Sequence, residues 1–183
     1  MNNVYFVRHA TPDFSIKDEL LRPLTEEGIK DSIKVSKYLK SKDITKIYSS
    51  PYKRAVDTIS NLSSIMNLDV EVVEDLRERK ICNEWIEDFN GFTKKQWSDF
   101  LFKLEDGECL KEVQDRNIKS LLNILSESHK GNIVIGTHGT ALSTIINYYD
   151  NTFNYESFNK IKNEENYETF KCLYFYYLYS IYY

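Results

Sequence analysis

The sequence predicts an α/β fold in which a parallel sheet is covered by helices on both faces. Three observations predict it. Short apolar runs such as Val4–Val7 and Ile133–Ile135 read as buried strands, being too short for helices. Segments with apolar residues three and four apart lie between them and read as amphipathic helices. Strands alternating with helices imply crossover connections, and those give parallel pairing.

Bulk properties narrow the field. At 183 residues with 42% hydrophobic content, one domain spanning 1–183 is the expectation, and no internal repeat or linker divides it. The net charge of −4 argues against nucleic acid or an anionic membrane as partner, since both reward a basic face. A local group of arginines can still bind a small anion. The three cysteines, Cys82, Cys109 and Cys172, form no C-x-x-C pair, so neither a zinc site nor a disulfide framework is expected. They read as packing residues in a reducing cytoplasm. The N-terminus enters a strand at once, which leaves no room for a signal peptide, and no apolar run reaches the roughly 20 residues of a membrane span.

The first strand is expected over Asn3 to His9, stopped by Pro12. An irregular segment from Thr11 to Pro23 follows. Thr25 then reads as a helix N-cap, with Glu26 and Glu27 in the first turn where the dipole favours them. Ile29, Ile33, Val35 and Leu39 mark the packed side of that helix, with Ser32 and Ser36 between them. The second strand, Ile44 to Ser50, ends at Pro51, and Ala55, Ile59, Leu62 and Met66 trace the next helix. Val70 to Val73 forms a third strand with a charged exit at Asp75-Leu76-Arg77-Glu78-Arg79. Residues 80–108 carry both tryptophans and four phenylalanines; they read as an excursion with short helices, a cap whose aromatics pack and whose rim meets substrate. Leu110, Val113, Ile118, Leu121, Leu122 and Leu125 mark a long helix, closed by His129-Lys130-Gly131. The fourth strand is Asn132 to Thr137, and Gly139 opens a helix bearing Ala141, Leu142, Ile145 and Ile146. From Asp150 the chain is polar and aromatic with weak periodicity. Residues 170–183 hold six of the fourteen tyrosines and read as an added strand or an atypical tail.

In parallel α/β sheets ligands bind beyond the carboxyl ends of the strands. His9, Arg54, Glu78 and His138 each follow a strand, so they are expected on one sheet edge. An arginine and a histidine leaving a core strand are costly unless they have work there. Alone, Arg8-His9 reads as a structural pair; with Arg54 and His138 in matching positions, the reading is a phosphate site. Arg8 and Arg54 offer planar forks to phosphate oxygens, and His138 a further donor. Ser49, Ser50 and the helix opening at Arg54 add neutral donors. His9 is then a competent nucleophile toward phosphorus. Glu78 is the best-placed acid for the departing alcohol, with Asp13, Glu74, Asp75, Glu84 and Glu87 as rivals. No metal-ligand spacing is visible, so no metal or other cofactor is expected.

Val7-Arg8-His9-Ala10-Thr11 resembles the signature of the histidine phosphatase superfamily, the phosphoglycerate mutase-like fold, where R-H-G is usual. Leu24-Thr25-Glu26-Glu27-Gly28 is similar to its L-T-x-x-G. Ser49-Ser50-Pro51-Tyr52-Lys53-Arg54-Ala55, Leu76-Arg77-Glu78 and Gly136-Thr137-His138-Gly139 resemble its second-arginine, acid and second-histidine segments. Asp106-Gly107-Glu108 is a weaker match to a G-E-S segment. The resemblance implies a three-layer α/β/α sandwich with a mostly parallel sheet and adjacent first and fourth strands. It implies His9 as the phosphorylated nucleophile, Arg8, Arg54 and His138 as the phosphate pocket, and Glu78 as proton donor. Ala10 for glycine, Cys109 for serine, the missing W-E-G and the aromatic tail depart from the pattern.

The expected activity is that of a metal-independent phosphomonoester hydrolase working through phosphohistidine on a small phosphorylated metabolite. A mutase-type phosphotransferase is the alternative; its relatives are generally longer, which favours hydrolysis here. A non-catalytic phospho-ligand module is the third reading. The substrate and the oligomeric state are left open by the sequence.

Overall fold

The computed structural model describes residues 3–84, 86–128, 131–163 and 173–174. In chain order the elements are β1 (Val4–Arg8), α1 (Glu26–Leu39), β2 (Ile44–Ser49), α2 (Lys53–Met66), β3 (Val70–Val72), a 3-10 turn (Glu74–Leu76), α3 (Phe89–Ser98), α4 (Leu110–Glu127), β4 (Asn132–Thr137), α5 (Gly139–Tyr149), α6 (Tyr155–Asn163) and β5 (Leu173–Tyr174). The strands form one sheet in the order β3-β2-β4-β1-β5. The β1–β4, β2–β4 and β2–β3 pairs are parallel, and the two-residue β5 pairs antiparallel with β1. The fold is therefore the mostly parallel α/β arrangement expected, with the first and fourth strands adjacent.

Alternation along the strands sorts the core into two layers, because successive side chains point to opposite faces. Val4 and Phe6 of β1 join Ile133 and Ile135 of β4 against Ile118 and Leu121 of α4 and Leu142 and Ile145 of α5. Tyr5, Val7, Ile47 and Val134 face the other way, against Val35 and Leu39 of α1 and Ile59 and Leu62 of α2. A central strand is buried on both faces, which is why β4 reads as an unbroken apolar run.

Two helices differ from expectation. Helix α1 is capped by Thr25 as expected, its side chain accepting from Gly28 N–H. Its buried residues, however, are Gly28, Asp31, Ser32, Val35, Ser36 and Leu39, while Ile29 and Ile33 are exposed at 52% and 39%. Small serines let α1 approach α2 closely, and their hydroxyls bond back to Ile29 O and Ser32 O at 2.7 and 2.9 Å. Helix α6 was not anticipated. It is only nine residues long, and its buried anchor, Phe158, sits in a small cluster with Trp97 and Leu110. Leu122, expected on the packed face of α4, is exposed.

His129, Lys130, Trp85 and the tail outside β5 lie beyond the described residues. Among the described residues no helix is long and apolar enough to cross a membrane.

Candidate active site

In-register pairing brings the strand ends together: Arg8 stands opposite Thr137, and Ser49 opposite Gly136. The chain leaving β1 is then fixed by three anchors. His9 N–H donates to Thr137 O at 3.0 Å, and Ala10 N–H to Thr58 Oγ1 at 3.0 Å. Thr25 N–H donates to Thr11 O at 3.0 Å. A Cβ on Gly28 would lie 2.4 Å from that same Thr11 oxygen, so only glycine lets α1 approach the loop. Thr25 is thus more than a cap: Leu-Thr-x-x-Gly clamps the segment that carries His9. Ala10 accepts its place without strain, since it is not among the residues of positive φ.

The rings of His9 and His138 lie 5.2 Å apart, tilted by 60°. His9 Nδ1 is 2.8 Å from Ala10 O. A carbonyl only accepts, so Nδ1 carries the proton and Nε2 keeps its lone pair. Burial, then His138, then Arg54 push the His9 imidazole well below the ordinary histidine value; the Ala10 carbonyl opposes them and Arg8 adds to them. Its Nε2 is therefore unprotonated at neutral pH.

His138 ends up deeper than expected. Its side chain is fully buried, and its Nε2 bonds Ser50 Oγ at 2.6 Å. Its Nδ1 has no partner among the described residues, and Tyr52 packs edge-on at 5.1 Å. Burial, Arg54, Arg116 and Arg8, in that order, hold it neutral. Ser49 and Ser50, expected as phosphate donors, are both buried, with Ser50 committed to His138.

A cavity of about 210 Å³ opens at this edge. Arg8, His9, Arg54 and Glu78 line it, while His138 lies one layer behind. Arg8 Nη1 donates to Ile161 O at 3.0 Å. Arg54 is only 4% exposed, donates to Glu19 O at 2.7 Å and lies 4.7 Å from the Tyr52 ring centre. Thr58 Oγ1, which receives Ala10 N–H, donates to Arg54 O at 2.7 Å, tying the second arginine to the His9 loop.

Glu78 is held on the first turn of α5. Its oxygens accept Thr140 N–H at 3.0 Å and Ala141 N–H at 3.1 Å, and its own neighbour Arg79 N–H at 2.8 Å. The rival carboxylates Asp13, Glu74, Asp75, Glu84 and Glu87 do not line the cavity, whereas Glu19, not weighed from sequence, does. The cavity also takes in Arg22 and Lys162, and the aromatics Phe14, Phe89 and Phe158. Arg22 was hidden in the irregular first loop, and Lys162 in a segment without clear periodicity. Its position before Pro23 was the only signal for Arg22; Lys162 had none.

A second polar layer supports Glu78. Glu108 receives Arg116 through both of its oxygens at 2.8 and 2.9 Å and accepts Lys80 N–H at 3.0 Å. Burial alone would raise its carboxyl, but Arg116, the Lys80 amide and Arg77 hold it below the usual range. Arg116 also donates to the carbonyls of Asp75, Arg77 and Glu78. A Cβ on Gly107 would lie 1.9 Å from Ile81 O, which explains the glycine before Glu108. Cys109 stands at the N-cap of α4, its N–H received by Glu112 at 2.9 Å. Among the described residues no group of three or more His, Cys, Asp or Glu is arranged to hold a metal ion.

Two histidines and two arginines thus gather at the carboxyl edge of a mostly parallel sheet in an α/β protein, and the chain belongs to the histidine phosphatase superfamily, branch 1, matching it over residues 4–169. It is 27% identical over 158 residues to a Hydrogenobacter thermophilus protein provisionally named phosphoserine phosphatase 2, covering 80% of this chain and 77% of that one. It is 27% identical over 154 residues to the 2,3-bisphosphoglycerate-dependent phosphoglycerate mutase of Thermoplasma acidophilum, covering 81% and 76%. The fold is shared with a mycobacterial glucosyl-3-phosphoglycerate phosphatase solved with VO3, at a TM-score of 0.71 and 20% identity over 81% of this chain and 80% of that one.

Proposed function

We propose that this chain is a phosphomonoester hydrolase that passes the phosphoryl group through His9. The observation that carries this reading is the Nδ1 contact of His9 with Ala10 O, which leaves Nε2 as a free lone pair in a cavity flanked by Arg8 and Arg54. In the first step Nε2 bonds to phosphorus while the ester P–O bond breaks, and Glu78 gives its proton to the departing alkoxide. In the second step water attacks phosphorus, the N–P bond breaks, and the Glu78 carboxylate takes the proton from water. Arg8 and Arg54 spread their charge over the equatorial oxygens. To donate, Glu78 must turn one oxygen from its backbone N–H partners toward the leaving group; the other can stay bound.

His138 acts from behind His9. It is neutral while the cavity is empty, and an arriving phosphate dianion favours its protonated form, whose charge acts from behind the His9 ring and not by direct contact. The scheme uses arginines where other phosphatases use metal. Free Cys82 and Cys109 fit a reducing cytoplasm.

The test is turnover of an aryl phosphate, with acid-labile label sought on the protein in a rapid quench. Wild type should release phosphate and carry label; His9→Ala should lose the label and at least about a thousandfold in turnover. A wild type that neither turns over small phosphate esters nor takes label overturns the reading. The mutase relative favours one alternative, phosphoryl transfer between hydroxyls. Turnover that appears only with a bisphosphate activator would support that alternative.

A further inference from the structure

Arg79 follows Glu78 directly, yet the phosphoryl chemistry leaves its side chain unused. It is 4% exposed and does not line the cavity. Its guanidinium turns into α3 instead. There Nη1 donates to Gln96 Oε1, and the group lies over the rings of Phe89 and Phe92 at 5.9 and 5.4 Å. Its Nε has no partner among the described residues. Burial pushes it below the ordinary arginine value, and Glu78 and Glu108, the carboxylates that face it, push back. A desolvated guanidinium is a costly way to fill the space beside two phenyl rings, where a methionine packs as well. A charge kept there calls for a role beyond packing.

Gln96 shows where the link leads. It is fully buried, and its Nε2 donates to Phe102 O at 2.9 Å and to Glu108 O at 3.0 Å. The Glu108 carboxylate is gripped by Arg116, and Arg116 donates to Glu78 O at 3.2 Å. The circuit therefore closes on the peptide between Glu78 and Arg79. Arg116 holds the carbonyl of that peptide, and its N–H donates to Glu78 Oε1 at 2.8 Å. Thr140 and Ala141 fix the same carboxylate from the α5 side. Its third donor is thus the backbone that carries the Arg79 side chain. Polar networks of this kind are rigid when their members are paired and loosen when one is removed.

We propose that Arg79 is a positioning residue for proton transfer to the leaving group: anchored on Gln96 and the two rings of α3, it fixes the peptide after Glu78 and so the direction of the Glu78 carboxylate. The proposal rests on Glu78 as the acid of the hydrolase reading. Arg79 touches neither the cavity nor the reacting atoms, so it acts through Glu78. Its removal is felt where the departing oxygen needs a proton and not where it leaves as a stable anion.

The test measures kcat/KM, which reports the steps through P–O cleavage, for phenyl phosphate and 2,4-dinitrophenyl phosphate. The esters share a ring, but phenolate departs poorly without a proton and dinitrophenolate departs readily. Arg79→Met should lower the phenyl ester by about tenfold or more, the scale of a misaligned catalytic group. It should change the dinitrophenyl ester by less than about twofold. Gln96→Leu, which keeps the buried charge, should show the same selective loss, and the double variant little more than either alone. Glu78→Gln is the reference, with a larger loss of the same pattern. If Glu78→Gln is selective while Arg79→Met slows both esters equally, or neither, the positioning role is overturned. Additive losses in the double variant overturn the link through Gln96. Should Arg79→Met not fold, Gln96→Leu decides alone, and wild-type rates there overturn the role. Equal losses on both esters in Glu78→Gln overturn the acid assignment, and the role of Arg79 with it. If wild type hydrolyses neither ester, the hydrolase reading itself fails and the role falls too.

Discussion

His138 shows how one residue can tie the site to stability. It is fully buried, and burial, Arg54, Arg116 and Arg8 depress its pKa in the folded protein. In the unfolded chain it titrates near the ordinary ~6.5. Between those two values the unfolded state binds more protons than the native one, so stability falls as pH falls. The contribution is complete above about pH 6.5 and is lost below it at up to about 1.4 kcal/mol per pH unit. His138→Gln should flatten this part of the curve, read as the difference between variant and wild type in urea unfolding at pH 7.5, 6.5 and 5.5. Equal slopes would contradict the assignment. At this scale the sequence was readable where chemistry followed a strand: Arg8, His9, Arg54 and His138 each stand at or just after a strand end, and periodicity locates strand ends. Glu19, Arg22 and Lys162 were not readable, because nothing in an irregular loop or a short terminal helix fixes which way a side chain faces. Ser50 was noticed for the right chemistry with the wrong destination, since its depth depends on the ring of a residue 88 positions away.

Among the elements, α4 matters for more than its apolar stripe. Ile118, Leu121 and Leu125, visible from spacing, pack in the core beneath the sheet together with Ile124, whereas Leu122 faces solvent. Its polar side carries Arg116, which clasps Glu108 and three carbonyls of the segment leading to Glu78. Spacing alone could not distinguish that clasp from a solvated charge. Arg116→Met would leave Glu108 half-buried without its main partner. Breaking a fully buried pair costs about 3–5 kcal/mol, and partial solvent access reduces this to about 2 kcal/mol. Chemical denaturation should show that loss. Steady-state kinetics should show kcat falling more than KM, because Glu78 is displaced while the arginines are untouched. A variant as stable and as active as wild type would mean that Glu78 is held by α5 alone. Helix α1 teaches a related lesson. Its cap and first turn were legible because capping is local, but its packed face was not. Contact with another helix favoured Ser32 and Ser36 over the larger Ile29 and Ile33.

Across the whole molecule, the groups around the cavity come from nearly every part of the chain. Arg8 and His9 leave β1, Glu19 and Arg22 sit in the first loop, Arg54 opens α2, Glu78 precedes α3, Thr140 starts α5 and Lys162 nears the end of α6. An anion bound there bridges segments that the sheet alone holds only from one side. It binds the native state and not the unfolded one, so it stabilises by mass action. At about a hundred times its Kd, orthovanadate or phosphate should add about 2.7 kcal/mol. For a chain of this size each kcal/mol moves Tm by about 2–4 °C, so the expected rise is about 5–11 °C. Chloride at equal ionic strength should give almost none of it, since screening does not require forks. Arg54→Met should lose most of the rise, because it removes the most deeply buried of the cavity's arginines. We also propose that residues 1–183 melt as one unit, so the whole transition should shift together. A ligand that moves only part of a biphasic melt would show instead that the segments around the cavity unfold independently of the sheet. A rise that survives in Arg54→Met would move the anion away from the strand ends altogether.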